Sequence, residues 1–354
     1  MTAAANAGAV ELADGKLSIN GFGQWAYSQT GNANGYAGFD AGSDFSGGSV
    51  ALALHAQLLE RGHVGLQVRF DRDHNATTLD WGFGEWRFSD QLRLQIGLIQ
   101  HPFGISGDVR DVGTVRPFYL LPSSIYGSAD LTGEAIDGVA IRGSTFSGSG
   151  WSLRYDAYFG ALALPSSSTF DKLAAGFSPG GTIRTTTDET TFVAGGRLTI
   201  SAPVEGLSFR LSGYSTLRDT EDVVIGPSIQ YAANGFDLRA EYFFHYQGSA
   251  PKARTHAAYV EAAYMLTARL QAGVRGDVYS GQLLGYNGSR ALLDHREVAA
   301  TLNYWFDPGL VVKVSAHFID GNRFALAPAL DDAVLAGTLQ RTTFAVIAGT
   351  QFSF

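Results

Sequence analysis

The chain has 354 residues, of which 45% are hydrophobic, 12% aromatic and 16% charged, with 44 Gly, 10 Pro, no Cys and a formal charge of −8. Soluble proteins carry about 25% charged residues, yet the mean hydropathy is only +0.02, so charge has been shed without the chain becoming apolar overall. The missing cysteines exclude disulfide scaffolds and thiolate zinc sites, and the acidic balance argues against nucleic acid as a partner. No apolar run reaches the ~18 residues of a membrane helix, and neither a Walker-type phosphate loop nor an HExxH motif is present.

Residues 1–15 are small and polar and lack the apolar stretch of an intact signal peptide. Ala5-Asn6-Ala7 reads as the remnant of a cleavage site, and the whole segment as an N-terminal periplasmic piece ahead of the barrel. From Lys16 onward the dominant signal is alternation, apolar at every second residue over segments of about ten, which means strands. In Gly65-Leu66-Gln67-Val68-Arg69-Phe70-Asp71, Leu66, Val68 and Phe70 share one face while Gln67, Arg69 and Asp71 share the other. The pattern predicts sixteen strands, at 16–29, 47–60, 62–73, 77–89, 91–103, 134–144, 150–164, 190–202, 206–218, 222–233, 235–248, 254–266, 268–280, 295–306, 309–320 and 342–354. In 77–89 the apolar parity changes, from Leu79, Trp81 and Phe83 to Trp86 and Phe88, which predicts a bulge near Gly84.

The connections divide into two kinds. Long ones fall at odd places in the order (30–46, 104–133, 165–189, 281–294, 321–341), while the even ones are tight, such as Glu60-Arg61-Gly62, Ala233-Asn234-Gly235 and Phe306-Asp307-Pro308-Gly309. A soluble sandwich would also bury one face of each strand, but it gives no reason to confine long loops to one end. An even number of strands with long loops outside and short turns inside is the pattern of a transmembrane antiparallel up-and-down β-barrel, here spanning 16–354, with closure satisfying the backbone in lipid. Trp25, Tyr27, Trp151, Tyr231, Tyr264 and Tyr304 are candidates for its interfacial aromatic girdles.

The last strand, Phe344-Ala345-Val346-Ile347-Ala348-Gly349-Thr350-Gln351-Phe352-Ser353-Phe354, ends on an aromatic residue and resembles the terminal assembly signal of Gram-negative outer-membrane proteins. Arg93-Leu94-Gln95-Ile96-Gly97-Leu98-Ile99-Gln100-His101-Pro102-Phe103-Gly104 resembles the strand running into loop 3 of the phosphate-selective-porin-like family, where a glycine and then a Pro-Phe pair recur. The resemblance implies a water-filled porin of the Gram-negative cell outer membrane, a homotrimer held in lipid and lipopolysaccharide, passing small hydrophilic solutes. It also implies a third loop folded inward. Phosphate-selective members are rich in lumenal lysines, whereas this chain has four (Lys16, Lys172, Lys252, Lys313), so the porin architecture is carried over without the phosphate selectivity.

The connection 104–133 is the longest and suits an ordered insert, because its Phe118-Tyr119-Leu120-Leu121 run is ill matched to water. Its constriction candidates are Asp108, Arg110, Asp111, Arg116, Phe118 and Tyr119; the two aromatics either narrow the pore or anchor the loop to the inner wall. On the strands, the inward parity yields Arg69, Arg87, Arg93, Arg154, Arg197, Arg210, Arg239, Arg275 and Lys313 as pore-lining candidates. Arg69/Asp71, Glu85/Arg87, Arg154/Asp156, Asp237/Arg239/Glu241 and Arg275/Asp277 read as same-face ion pairs two residues apart. Arg93, Arg142, Arg197, Arg210 and Lys313 have no such carboxylate. That predicts a basic wall sector and a preference for anions, with part of the acidic excess in outer loops (Asp40, Asp44, Asp188, Glu189, Asp331, Asp332).

The eight histidines (His55, His63, His74, His101, His245, His256, His295, His317) show no metal-ligand spacing along the chain, and Ser208 or Asp237 joins no triad. No enzyme activity and no cofactor is therefore expected. The alternative to a porin is a structural or scaffolding barrel that holds a protein partner or acts as a receptor; a lumen of this strand number is wide enough for water.

Overall fold

The computed structural model describes residues 9–31, 35–37, 39–73, 75–127, 131–164, 189–217, 222–248, 252–283, 290–325 and 340–354, and for 189 and 190 the backbone alone. Its strands are β1 (Val10–Leu12), β2 (Leu17–Thr30), β3 (Ser43–Gln57), β4 (Gly62–Asp71), β5 (Ala76–Ser89), β6 (Leu92–Gln100), β7 (Ala135–Phe146), β8 (Ser152–Leu164) and β9 (Glu189–Ser201). They continue as β10 (Leu207–Thr216), β11 (Asp222–Ala233), β12 (Phe236–Gln247), β13 (Ala253–Met265), β14 (Leu270–Leu283), β15 (Asp294–Asp307), β16 (Leu310–Asp320) and β17 (Thr342–Ser353). Each of β2 to β17 pairs antiparallel with its sequence neighbours, and β17 pairs with β2, so the chain is a closed sixteen-stranded antiparallel barrel.

Polarity is inside out. On β13 and β14, Val260 and Val274 are 64% and 60% exposed, while the adjacent Glu261 and Arg275 are 3% and 2% exposed. That distribution would be costly in water and is the one lipid requires. Tight turns gather at one end, where Asn234-Gly235 joins β11 to β12 with φ of 53° and 80°, the doubly left-handed turn that matches strand twist. Trp151, Tyr264 and Tyr304 lie on the outer surface near that end, 42–44% exposed.

Three details depart from the sequence reading. Val10–Leu12, inside the segment read as a plain N-terminal piece, forms a short strand on β2 through a turn at Ala13-Asp14-Gly15. β5 is irregular at Asp80, where Leu79 faces Val68 and Trp81 faces Gln67, and again at Phe88, between Arg87 and Ser89, while Gly84 stays in register. Trp81 and Phe83 therefore point inward, Trp81 only 5% exposed, while Leu79 points to lipid. Apolar character here marks contact with a lumenal loop, which alternation cannot separate from contact with lipid. Finally, β3 begins at Ser43 and β6 ends at Gln100, so loop 1 is 31–42 and loop 3 runs from His101 to Glu134. Lys172, His74, Asp188, Asp331 and Asp332 lie outside the described residues, as does the Glu189 side chain.

Candidate permeation constriction

Loop 3 begins where β6 and β7 stop pairing, with His101 N donating to Glu134 O at 3.0 Å. Its base is clamped by the buried His101 ring between Thr132 (3.1 Å) and Tyr158 (2.9 Å). Phe103 then stacks on Phe243 of β12 with ring centroids 4.3 Å apart, which carries the chain across the lumen. Gly104 follows with φ of +55°, and a Cβ there would overlap the Tyr126 hydroxyl and the Glu241 carboxylate; only glycine tolerates both constraints. Glu241 is saturated by four donors: Ile105 N (2.9 Å) and the hydroxyls of Tyr126 (2.6 Å), Ser228 (2.6 Å) and Tyr259 (2.8 Å).

Beyond this point the loop makes two single 3-10 turns, Gly107–Val109 and Gly113–Val115, and one helical turn, Ser123–Tyr126. Such irregular backbone leaves carbonyls without partners in a place where they cannot go unpaired. The wall supplies the donors. Arg239 reaches Val115 O (2.7 Å), Asn303 reaches Pro117 O (2.7 Å), Gln351 reaches Tyr119 O (3.3 Å) and Arg275 reaches Leu120 O (2.8 Å). Lys313 Nζ donates to the carbonyls of Gly113 (2.8 Å), Arg116 and Phe118 (3.5 Å). Phe118 lies under the Arg275 guanidinium at 4.5 Å. Tyr119 packs on Gly349, where any Cβ would collide with its ring. Both aromatics are at most 1% exposed, so they anchor the loop. Arg116 bonds Gln24 (3.2 Å) and the carbonyl of Arg110 (2.8 Å).

These anchors divide the candidate residues. Arg197, Arg239, Arg275 and Lys313 are no more than 7% exposed and sit beneath loop 3, so they hold the loop; inward parity sets a side chain's direction and says nothing of what covers it. Arg69 is also occupied with the loop, facing Asp111 (3.4 Å) and Glu134 (3.2 Å) as well as Asp80 (3.3 Å). Arg93, with 38% of its side chain exposed, Arg154 and Arg210 keep access to the lumen, and Arg87 stands at the turn-end mouth beside Asp90.

Cross-strand neighbours also displace the expected same-strand pairs, because opposed residues approach to about 5 Å while i,i+2 positions stand about 6.6 Å apart. Asp156 binds Arg142 (3.1 Å) and Arg197 (3.0 Å), and Glu85 reaches Arg93 (3.9 Å). Three of the arginines read as free of a carboxylate are thus partly neutralised. Arg239 with Asp237 (2.6 Å) keeps an expected i,i+2 pair.

Register puts like charges face to face. Arg87 lies directly opposite Arg93, and Arg93 directly opposite Arg142. Three guanidinium groups thus stand in a row on β5, β6 and β7, each with one carboxylate at its side: Asp90, Glu85 and Asp156. Facing this wall, loop 3 offers Asp108, Asp111 and Glu134, with side chains 31%, 20% and 42% exposed, together with Arg110, which bonds Tyr126 O at 2.8 Å. Burial opposes ionisation of Asp108, but the nearby Arg197 and Arg142 outweigh it and hold the carboxyl below the usual range. The loop-holding roles of Asn303, Gln351 and Glu241 carry no signature in the sequence, since inward polar residues look alike there.

This geometry defines the porin fold: a sixteen-stranded barrel narrowed by an inward third loop. No protein-family model and no curated protein matches the sequence. Among solved structures, the chain is similar to Salmonella typhi OmpF in complex with daunomycin, at 14% identity and a TM-score of 0.66 over 98% of this chain and 100% of that one. It is likewise similar to outer-membrane expressed OmpT of Vibrio cholerae (10%, 0.60, 98% and 100%) and to an anion-selective porin from Comamonas acidovorans (12%, 0.56, 96% and 99%).

Proposed function

We propose that this protein is a porin of the Gram-negative outer membrane, a trimer whose subunits each pass small hydrophilic solutes and favour anionic ones. The observation that carries the anion preference is the row Arg87, Arg93 and Arg142, juxtaposed across three strands. Side by side, with 38% of the Arg93 side chain exposed, they offer several guanidinium groups to one permeating anion. The fold shared with an anion-selective porin agrees with this reading. A scaffolding barrel is disfavoured, because a partner threaded through the lumen would have to tear loop 3 from the Arg239, Asn303, Arg275 and Lys313 contacts.

Planar-bilayer recording of the purified protein tests the proposal. Stepwise ohmic conductance with a reversal potential on the anion side of zero, under a salt gradient, is expected. Absence of conductance overturns the channel, and a cation-side potential overturns the selectivity alone. An oligomer resistant to dodecyl sulfate, with three subunits by cross-linking, is the expected assembly.

A further inference from the structure

A second cluster lies toward the long-loop end of β14 and β15, covered by loops 1 and 3. On β15, His295 and Glu297 are two residues apart and both point inward, and β14 places Asp277 directly opposite Glu297. His295 Nε2 stands 3.7 Å from Asp277 Oδ2 and 3.7 Å from Glu297 Oε2, and one donor atom from each of the three residues lies within 4.8 Å of the others. All three are at most 2% exposed.

The surroundings hold these groups in place. His317 Nδ1 (3.0 Å) and Arg275 (2.9 Å) both take Glu297 Oε1, and Ser124 N of loop 3 donates to Asp277 Oδ2 at 3.2 Å. Tyr36 of loop 1 stacks on His295 with centroids 6.0 Å apart and donates its hydroxyl to Glu297 Oε2. Phe324 packs edge-on against the same imidazole at 4.9 Å. Two buried atoms, His295 Nε2 and Asp277 Oδ1, nonetheless have no hydrogen-bond partner among the described residues. Buried polar atoms in this state call for an explanation.

We propose that Asp277, His295 and Glu297 form a binding site for a divalent transition-metal cation of the zinc type, roofed by Tyr36. Donor separations of 3.7 Å exceed hydrogen-bond reach. They lie close to the roughly 3.3–3.4 Å between ligands of a tetrahedral ion with bonds of about 2.0–2.1 Å. An imidazole among carboxylates selects zinc-like ions over magnesium or calcium, which take oxygen alone. Charge allows a cation: the site holds the two carboxylates of Asp277 and Glu297, and Arg275, the cation bonded to Glu297, is shared with Glu261. A bound ion would tie loop 1 and the helical turn of loop 3 to the barrel wall. The competing arrangement is His295 packed between the two carboxylates with no metal.

The test uses the full-length, tag-free protein in detergent, stripped with chelator, exposed to zinc chloride, desalted, and measured for metal by mass spectrometry. About one zinc per chain is expected for the wild type, falling roughly tenfold or more in His295→Ala, Asp277→Asn and Glu297→Gln. No loss is expected in His256→Ala, whose histidine lies on the outward face of β13. X-ray absorption at the zinc edge should give a nitrogen/oxygen shell at about 2.0–2.1 Å. Heat-modifiable electrophoretic mobility identifies folded variants, and the near-isosteric Asp277→Asn carries the comparison if His295→Ala does not fold. Zinc retained equally by wild type and folded variants, or by none of them, overturns the site in favour of the metal-free arrangement. Conductance plays no part in the readout, so the outcome is independent of the channel reading.

Discussion

Lys313→Met keeps the volume of a side chain that is 0% exposed and deletes the ammonium group that three loop carbonyls share, those of Gly113, Arg116 and Phe118. A hydrogen bond to a charged group is worth about 1.5–3 kcal/mol when its partner is left buried. Lumenal water can reach some of the freed carbonyls, so about 2–4 kcal/mol of loop docking is the expected loss for the set. That corresponds to roughly a 30- to 700-fold fall in the ratio of docked to undocked loop. Four other wall donors remain, on the carbonyls of Val115, Pro117, Tyr119 and Leu120, so the loop stays docked on average. The signature in single-channel recording is therefore increased open-channel noise and brief high-conductance excursions, with little change in mean current. Adding Asn303→Leu should enlarge the excursions more than additively, since the two donors serve neighbouring carbonyls. If the double variant is as quiet as the wild type, these donors do not hold the constriction.

Replacing Arg93 and Arg154 together by glutamate reverses charge on the uncovered wall and should move the reversal potential toward cations, while Arg239→Gln, beneath the loop, should alter noise far more than selectivity. Gly349→Val drives a branched side chain into the Tyr119 ring; overpacking of about 1–3 kcal/mol should lower the temperature of heat-modifiability, and a further Tyr119→Ala should recover part of it. The depressed Asp108 carboxyl contributes stability that is present above its unfolded pKa of about 3.9 and is lost as pH falls through the lower folded value. Loop noise should consequently stay flat from neutral pH down to the ordinary carboxylate range and rise only below it, and Asp108→Asn should remove that acid limb.

Strand existence was legible because lipid on one side and water on the other impose a period of two, and the confinement of long connections to one end separated a barrel from a sandwich. Position within the barrel was less legible. Trp81 and Phe83 carry the same apolar signal as Leu79, yet they meet loop 3 while Leu79 meets lipid. Phe118 and Tyr119 could be read as buried somewhere, but the surface receiving them is Gly349 and Arg275, more than a hundred residues away. Arg142 and Arg197 looked free of carboxylates along their own strands and share Asp156 across the sheet. Asp277 and His295 show no ligand spacing in the chain, and register alone brings them together. In each case the missing information is the pairing partner or the path of a loop, neither of which local periodicity encodes.

The two roles of the lumenal cations follow from one physical demand. An irregular loop crossing a barrel exposes carbonyls that neither a ladder nor bulk water satisfies, and long cationic side chains are the donors best able to reach them from a curved wall. Arg239, Arg275 and Lys313 are accordingly found where loop 3 presses on β12, β14 and β16. On β5 to β7, Arg87 stands beside Asp90 and Arg93 beside Glu85, while Arg142 reaches Gln100 O at 3.2 Å, at the loop's very base. A count of inward arginines therefore overstates the field a solute meets, and the charge that remains effective is concentrated on one wall. The net charge of −8 says nothing about this, because selectivity is decided by which cations the loop leaves uncovered.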